Sequence, residues 1–366
     1  MDQQAATDWF SKPGDSVRAM MRRRGITAQQ LSETLDGGMT TLRAICDGSM
    51  SIDATIARAL SNRLGGAESF WLKRQANFDA AIDRAVTVAA ATDLEAWISR
   101  VPSPNGKKLR ANASDRKMRA ELRSRLVYFN VSKIEAWERS YGSLIGGTQF
   151  RTSQSLQSSE DAVLRWLRRG EMDAELAETG EWSAVNLRDR LDEIRKLIRI
   201  SKPARFLPPL RKLLAEVGVA LVVARAPNGC RASGACRIVS PGKSMILMSF
   251  RHRADDQFWF TLFHEIGHLL LHNAAAFVDQ DDTSDNNQRE AEANHFASAC
   301  LIPLDRVGEL EDLQPNRNSI LRFSRSVGVS PGVVVGQLQY RRVIGHNEMN
   351  GLKRRWTWDE IALGLV

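Results

Sequence analysis

The spacing of apolar residues predicts helices over most of the chain and strands in one short stretch. In the helical stretches, apolar positions recur every three or four residues. The helices predicted in this way lie at about 16–83, 93–141 (broken by PSPNG at 102–106), 161–169, 185–200, 257–272, 288–300, 319–327 and 333–340. Three apolar or β-branched runs predict strands at 217–224, 235–240 and 244–250. The pattern therefore predicts an α+β protein, in which a helical N-terminal part precedes a small sheet and further helices.

The composition is that of an ordinary globular protein, with 43% hydrophobic and 26% charged residues. This excludes a mostly disordered or collagen-like chain, and 366 residues favour two or three domains. No run of 18 apolar residues occurs, so we expect neither a transmembrane helix nor a membrane partner. The start, MDQQAATDWF, lacks the charged and apolar regions of a signal peptide. Four cysteines without a CxxC pair favour a reducing compartment, and we therefore expect a cytoplasmic protein.

The net charge of +8 is concentrated in one segment. Residues 1–90 carry 11 basic and 10 acidic side chains, whereas residues 100–128 carry nine basic and two acidic ones, a net charge of +7. The stretch RANASDRKMRAELRSRLVYF within this segment predicts a helix with a basic face. It is either a solvated linker helix or an arm that contacts phosphates, with Lys107, Lys108 and Arg110 as candidate contacts.

The stretch ITAQQLSETLDGGMTTLRAICDG predicts two short helices around a turn that contains Gly37 and Gly38. The first helix would run over 28–35, the second over 39–47, and a third, over 51–64, would complete a small bundle. Apolar contacts between the two crossed helices are expected from Leu31, Leu35, Leu42 and Ile45. The pattern is that of a helix-turn-helix, whose second helix lies in the DNA major groove. The residues expected to reach DNA are Gln29, Thr40, Thr41 and Arg43. A helical bundle that binds protein is the alternative.

Two longer segments carry a resemblance to a known family. The segments PGDSVRAMMRRRGITAQQLSETLDGG and ICDGSMSIDATIARALSNRLGGAESFWLKRQANFDAAI resemble the HigA-like (XRE-type) helix-turn-helix proteins, which are antitoxins and repressors. This resemblance implies binding to a double-stranded DNA operator, which the charge of residues 1–90 does not indicate by itself.

The segment FHEIGHLLLH at 263–272 carries the strongest chemical signal. His264 and His268 are four residues apart, so both imidazoles lie on one face of a helix and can reach one Zn²⁺ ion at about 2.0–2.1 Å. Glu265 lies beside them and can take a proton from water at the metal. Apolar neighbours give this helix a buried face, which places the motif on a helix rather than a loop.

A catalytic zinc usually has a third protein ligand, and QREAEANHFASACLIP at 288–303 supplies candidates. In gluzincin-type metallopeptidases, a ligand Glu is commonly followed four residues later by an Asp or Asn that braces the first histidine. Glu290 with Asn294 resembles that arrangement, whereas Glu292 with Phe296 does not. We therefore favour Glu290 as the third ligand and Asn294 as the residue that braces the first histidine. Glu292 remains the alternative third ligand.

Residues 205–366 resemble the ImmA/IrrE-type metallopeptidases. The resemblance is carried, in order, by VGVALVVA, SGACRIV, KSMILMSFRHR, DDQFWFTLFHEIGHLLLH, EAEANHFASACLIP, VSPGVVVGQLQ and NGLKRRWTW. It implies a zincin-like fold, Zn²⁺ bound by His264, His268 and Glu290, and Glu265 as the catalytic base. It also implies cleavage of repressor proteins in stress-response, mobile-element or toxin–antitoxin systems.

Tyr340 stands where many relatives carry His. Its side chain either hydrogen-bonds the oxyanion of the tetrahedral intermediate or only packs against its neighbours. A thiolate of Cys230 or Cys236 could occupy the open metal position, although ordinary loop cysteines are the simpler interpretation.

These observations predict four segments. They are a helix-turn-helix DNA-binding domain (1–90), a basic helical connector and linker (91–160), a zincin-like metallopeptidase domain (161–310) and a C-terminal helical subdomain that completes the peptidase (311–366). The function expected is that of a DNA-binding regulator with a zinc endopeptidase, which cleaves a repressor, an antitoxin or another copy of the chain. The sequence leaves open whether the protein forms a homodimer. The rival function is an antitoxin-like repressor whose zinc site is structural or sensory.

Overall fold

The computed structural model describes residues 10–107, 109–110, 113–142, 159–272 and 283–365, with side chains from residue 288 onward in the last range. These residues form two compact units. Unit 1 comprises 10–142 and 159–177, and unit 2 comprises 178–365. Each unit has its own apolar core.

All regular secondary structure in the described residues of unit 1 is helical. Its helices are α1 (Pro13–Arg24), α2 (Ala28–Ser32), α3 (Gly38–Asp47), α4 (Ala54–Leu64), α5 (Glu68–Thr92), α6 (Leu94–Arg100), α7 (Asp115–Phe129), α8 (Ile134–Trp137, continued by a π-helical turn, Glu138–Gly142) and α9 (Glu160–Leu176). The core of the first helices is formed by residues that include Val17, Leu31, Leu42, Ile45, Leu60 and Trp71.

Helices α2 and α3 lie where the sequence predicts two helices around a glycine turn. Helix α2 begins at Thr27, whose hydroxyl accepts the N–H of Gln30 at 3.1 Å, while the side chain of Gln30 accepts the N–H of Thr27 at 3.0 Å. It ends at Ser32, three residues earlier than predicted. Gly37 and Gly38 have φ angles of 81° and 59°, a left-handed backbone that side chains disfavour. The four apolar residues expected between the two helices are all buried: Leu31, Leu35, Leu42 and Ile45.

Helix α9 belongs to unit 1, whereas the sequence boundary at residue 160 assigned it to the peptidase domain. A buried polar network attaches it. The guanidinium of Arg168 donates to the carbonyl of Tyr128 and to Glu171, both at 2.8 Å, and the hydroxyl of Tyr141 donates to Glu171 at 2.7 Å. Helices α6 to α8, predicted as a separate connector, are likewise part of unit 1. Most of the predicted linker at 151–160 lies outside the described residues.

Unit 2 combines a three-stranded sheet with helices, which confirms the predicted α+β class. Its elements are α10 (Ala184–Asp189), α11 (Leu191–Lys196), α12 (Pro203–Glu216), β1 (Val219–Val223), β2 (Gly234–Ser240), β3 (Lys243–Met248), α13 (Asp255–Leu271), α14 (Thr283–Leu301), α15 (Val307–Glu311), α16 (Arg317–Val327), α17 (Pro331–Tyr340) and α18 (Trp358–Ala362). The C-terminal segment 311–365, expected to complete the peptidase, is part of this unit. None of the helices in the described part of the chain is both long and apolar enough to cross a membrane.

The sheet has the strand order β1-β3-β2. Strand β1 pairs with β3 in parallel, and β2 pairs with β3 in antiparallel orientation, with Gly234 opposite Met248. A register shift between Ile238 and Ser240 ends the regular pairing of β2. Strand β2 therefore lies at one edge of the described sheet, beside helix α13, against which it packs.

Helix α13 runs through the core of unit 2, and nearly all of its residues are buried. Asp255 anchors its first turn, because its carboxylate accepts the hydroxyl of Ser330 at 2.6 Å and the backbone N–H of Arg354 at 3.0 Å. Burial raises the pKa of Asp255 to about 6. Close to Asp255, Asp256 pairs with Lys353 at 2.7 Å. Contacts from distant parts of the chain thus hold the helix at its N-terminal end.

Replacing Arg168 by Met should lower the free energy of unfolding by about 3–5 kcal/mol, because Glu171 would stay buried without its cationic partner. Urea denaturation followed by circular dichroism measures this loss, and hydrogen exchange should place it in α7 and α9. Arg116→Met, at an exposed position of α7, is the matched control. Equal stability of the two variants would contradict a stabilising role for the network.

Candidate metal centre

Helix α13 presents His264, Glu265 and His268 in the interior of unit 2, and all three are buried. The two histidines are one turn apart on the same face, so the Nε2 atom of His264 lies 3.0 Å from the Nε2 atom of His268. A helix produces this arrangement directly, because residues four positions apart lie above one another.

Glu290 reaches the two histidines from helix α14. One carboxylate oxygen lies 3.3 Å from Nε2 of His264, and the other lies 3.2 Å from Nε2 of His268. Burial opposes ionisation of Glu290, but hydrogen bonds from His264 and His268 outweigh it and lower the pKa of Glu290 to about 2. The carboxyl group is therefore ionised at neutral pH.

These three side chains form the metal-ion cluster found among the described residues. Two imidazole nitrogens and one carboxylate are the donor set of many zinc centres. Donors bound tetrahedrally at about 2.0–2.1 Å would lie roughly 3.3–3.4 Å from one another, close to the 3.0–3.3 Å separations observed here. The residues present thus fit a tetrahedral ion that keeps a fourth position for another ligand.

Glu265 is held against strand β2. Burial raises its pKa, with a smaller opposing effect from the neighbouring histidines. The thiol of Cys236, on β2, hydrogen-bonds to Glu265, and burial raises the pKa of that thiol well above its ordinary range. A Cβ atom at Gly234 would lie 2.5 Å from Glu265 Oε1, so only glycine fits there without displacing the carboxylate. The structure thus places Cys236 beside the candidate base, hydrogen-bonded to its carboxyl group.

Glu292, the alternative third ligand, contacts a different histidine. Its carboxylate oxygen Oε2 lies 3.0 Å from Nε2 of His272, which follows His268 by one helical turn. The structure therefore brings Glu290 to the two histidines and Glu292 to His272. The sequence does contain the signal for His272, since it continues the four-residue spacing of the motif.

Neither Asn294 nor Tyr340 belongs to the metal-ion cluster. The Nδ1 atom of His264 is buried, and no described residue hydrogen-bonds to it, so the predicted brace from Asn294 is not formed. Tyr340, at the end of α17, is half exposed, and its ring centroid lies 5.7 Å from that of Phe260. Phe260 in turn stacks on His264 with a centroid distance of 6.3 Å. One aromatic side chain thus separates Tyr340 from the candidate ligands.

In unit 1, the structure changes the set of residues that DNA could contact. Thr40 and Arg43 of α3 are exposed, and Gln29 is exposed with its amide 3.3 Å from Glu33. Thr41 was predicted to point outward, but it is buried, and its hydroxyl donates to the carbonyl of Asp36 at 2.5 Å. The reason is that Thr41 follows the tight glycine turn and closes it with this hydrogen bond.

Helix α9 lies close to α3 within unit 1. The Nε atom of Arg43 is 3.2 Å from a carboxylate oxygen of Asp173, and Arg18 of α1 lies 3.0 Å from Glu175. Both acidic residues belong to α9, so one face of the candidate recognition helix already has an acidic partner.

Several residues of the basic segment are paired with carboxylates. Arg123 contacts Asp79 and Asp83 of α5, and Arg125 is buried against Glu121 and the carbonyl of Val101. Lys107 and Arg110 are exposed, whereas Lys108 lies outside the described residues. Part of the +7 charge therefore packs unit 1 together and is not available to phosphates.

Loaded with Zn²⁺ and dialysed, the full chain should retain about one ion per molecule, and His264→Ala should lose most of it because one donor of three is removed. Elemental analysis measures the ion content. His346→Ala, at an exposed position outside the cluster, is the control and should retain the wild-type content. Undiminished zinc in His264→Ala would exclude the cluster as the binding site.

Comparison with protein families agrees with this geometry. Residues 234–339 match the model of the Peptidase_M78 family, described as the IrrE N-terminal-like domain. No curated protein and no solved structure matches the chain. The matched segment covers less than a third of the 366 residues and lies within unit 2. It begins at β2, contains α13 and α14, and ends in α17, so this segment, which holds the His264, His268 and Glu290 cluster, is similar to the IrrE N-terminal-like domain of a metallopeptidase family.

Proposed function

We propose that unit 2 is a zinc-dependent endopeptidase that hydrolyses a peptide bond of a protein substrate. The observation that carries the proposal is the convergence of His264, His268 and Glu290 beside the buried carboxyl group of Glu265. The similarity of residues 234–339 to a metallopeptidase family supports the same activity.

The roles of the side chains follow from their chemistry. His264, His268 and Glu290 would hold the ion, which when bound supplies Lewis-acid polarisation of the scissile carbonyl and acidifies water. Glu265 would take the proton of the attacking water and pass it to the leaving amine. Burial raises the pKa of Glu265, which brings its affinity for a proton closer to that required for both transfers.

The substrate is proposed to bind as an extended strand along β2. This strand lies at an edge of the described sheet, and its first residue, Gly234, lies directly beside Glu265. An extended peptide can add to a sheet edge through main-chain hydrogen bonds. Such pairing would place the peptide backbone close to the candidate base.

The proposed protein substrate is a repressor or an antitoxin from a stress-response, mobile-element or toxin–antitoxin system, and a second copy of the chain is the other candidate. These classes come from the resemblance of residues 205–366 to ImmA/IrrE-type peptidases. Proteins encoded beside the gene are the first substrates to test.

Unit 1 is proposed to bind double-stranded DNA through α3. The paired short helices, the glycine turn and the exposed side chains of Thr40 and Arg43 support this proposal. The contact between Arg43 and Asp173 limits it, because DNA would have to displace that acidic partner. A bundle that binds protein remains the alternative for unit 1.

The rival for the whole chain is an antitoxin-like repressor whose zinc site is structural or sensory. A structural site has no use for a buried carboxyl group beside its ligands, and Glu265 therefore favours the peptidase. The substitution described next separates the two functions.

Glu265→Gln should retain bound zinc and the wild-type thermal stability, yet lose peptide-bond hydrolysis by at least about 100-fold, because only the proton acceptor is removed. Incubation of each zinc-loaded protein with neighbouring gene products, followed by mass spectrometry, measures cleavage. Glu309→Gln, at an exposed position of α15, is the control. Cleavage by Glu265→Gln at the wild-type rate would remove Glu265 from the mechanism, and no cleavage by the wild type would favour the repressor.

Arg43→Ala and Thr40→Ala should reduce discrimination between specific and random DNA, whereas Arg110→Ala should weaken binding to all sequences and reduce the salt slope by about 0.9. Specific DNA is first selected from a random pool by the wild type. Gel-shift titrations at several salt concentrations then separate base contacts from phosphate contacts. An unchanged specificity ratio for Arg43→Ala and Thr40→Ala would favour the protein-binding bundle.

A further inference from the structure

A third histidine of α13 lies directly behind the candidate metal ligands. The Nδ1 atom of His272 is 3.0 Å from the Nδ1 atom of His268, and its Nε2 atom is 3.0 Å from Glu292 Oε2. The side chain of His272 is only 4% exposed, whereas that of Glu292 is 45% exposed. His268, His272 and Glu292 thus form a continuous hydrogen-bonded chain from the cluster to the surface of α14.

The proton positions along this chain follow from one condition. When Nε2 of His268 binds a metal, the only ring proton of that neutral histidine is on Nδ1. His272 must then accept that proton's hydrogen bond at its own Nδ1 and carry its proton on Nε2. This second proton points to Glu292, which accepts it. Each hydrogen bond in the chain therefore has one donor and one acceptor, without conflict.

Helix α14 supplies both the ligand and the end of this chain. Glu290 and Glu292 are two residues apart, and the second oxygen of Glu292 accepts the side-chain amide of Gln288 at 2.9 Å. By contrast, the Nδ1 atom of His264 has no hydrogen-bond partner among the described residues. Of the two candidate histidine ligands, the described side chains thus hold the outer ring nitrogen of His268 and leave that of His264 unheld.

We propose that His272 and Glu292 are positioning residues that hold His268 in the tautomer and ring orientation that bind the metal. Neither residue belongs to the cluster of His264, His268 and Glu290. The inference rests on the metal site of the proposed function and adds to it two residues that act only through His268. Hydrogen bonds from ligand histidines to outer partners raise metal affinity, and their loss typically costs about 10- to 100-fold.

The test measures the zinc dissociation constant of the full chain by competition with a chromophoric chelator. His272→Phe keeps an aromatic ring but removes the acceptor, and it should weaken zinc binding by about 10- to 100-fold. Glu292→Ala should weaken binding in the same direction. The double variant should bind zinc no more weakly than His272→Phe alone, because Glu292 acts through His272.

Two further measurements distinguish positioning from a general loss of structure. His272→Asn retains an acceptor oxygen and should recover part of the lost affinity. Bound Co²⁺ should show altered visible absorption bands in His272→Phe, because the orientation of His268 changes. His295→Phe, at an exposed position of α14, is the matched control and should show wild-type affinity and spectrum.

A wild-type zinc affinity in His272→Phe, or full additivity of the two substitutions, would overturn the proposal. Because Glu292 is largely solvent-exposed, Glu292→Ala still tests it if His272→Phe does not fold, and wild-type affinity in Glu292→Ala would then overturn it. A wild type that binds no zinc would instead overturn the metal site itself. Zinc binding with no proteolysis would contradict only the proposed peptidase function.

Discussion

The close packing of α14 against α13 is the interaction on which the candidate metal centre depends. Gly267 lies between the two candidate histidine ligands, and a Cβ atom there would lie 3.1 Å from the ring of Phe296 and 3.3 Å from the backbone of Ala293. Because the glycine has no side chain, α14 approaches closely enough for Glu290 to reach both His264 and His268. A single helix can supply the two nitrogen donors, but the carboxylate arrives only through this contact.

Strand β2 places a similar restriction on α13 at Glu265. Gly234 and Cys236 place strand β2 directly against Glu265, so the candidate base is enclosed between the sheet and its own helix. Burial is the main cause of the raised pKa of Glu265, whereas hydrogen bonds from the histidines lower the pKa of Glu290. Two carboxyl groups in one site thus acquire different proton affinities, which is the condition for one to act as base and the other as ligand.

Unit 1 illustrates that the charge of a sequence and the charge available to a partner differ. The basic segment appears in the sequence as a block, but Arg123 pairs with Asp79 of α5 and Arg125 donates to the carbonyl of Val101, so both pack α7 against the rest of the unit. Helix α9 contributes carboxylates to Arg18 and Arg43 in the same way. The surface proposed to bind DNA is therefore smaller than the sequence indicates, and it has an acidic neighbour within its own unit.

The sequence by itself determined the features that depend on local spacing. It predicted the small sheet, the helix that carries His264 and His268, and the apolar contacts of Leu31 and Leu42, because the period of a helix or strand decides which side chains share a face. The tertiary structure alone decided which carboxylate of α14 meets which histidine, where α9 belongs, and that Cys236 lies beside Glu265. These contacts join residues that are distant in the chain, and they depend on helix separation and on small residues such as Gly267. No local pattern encodes that information.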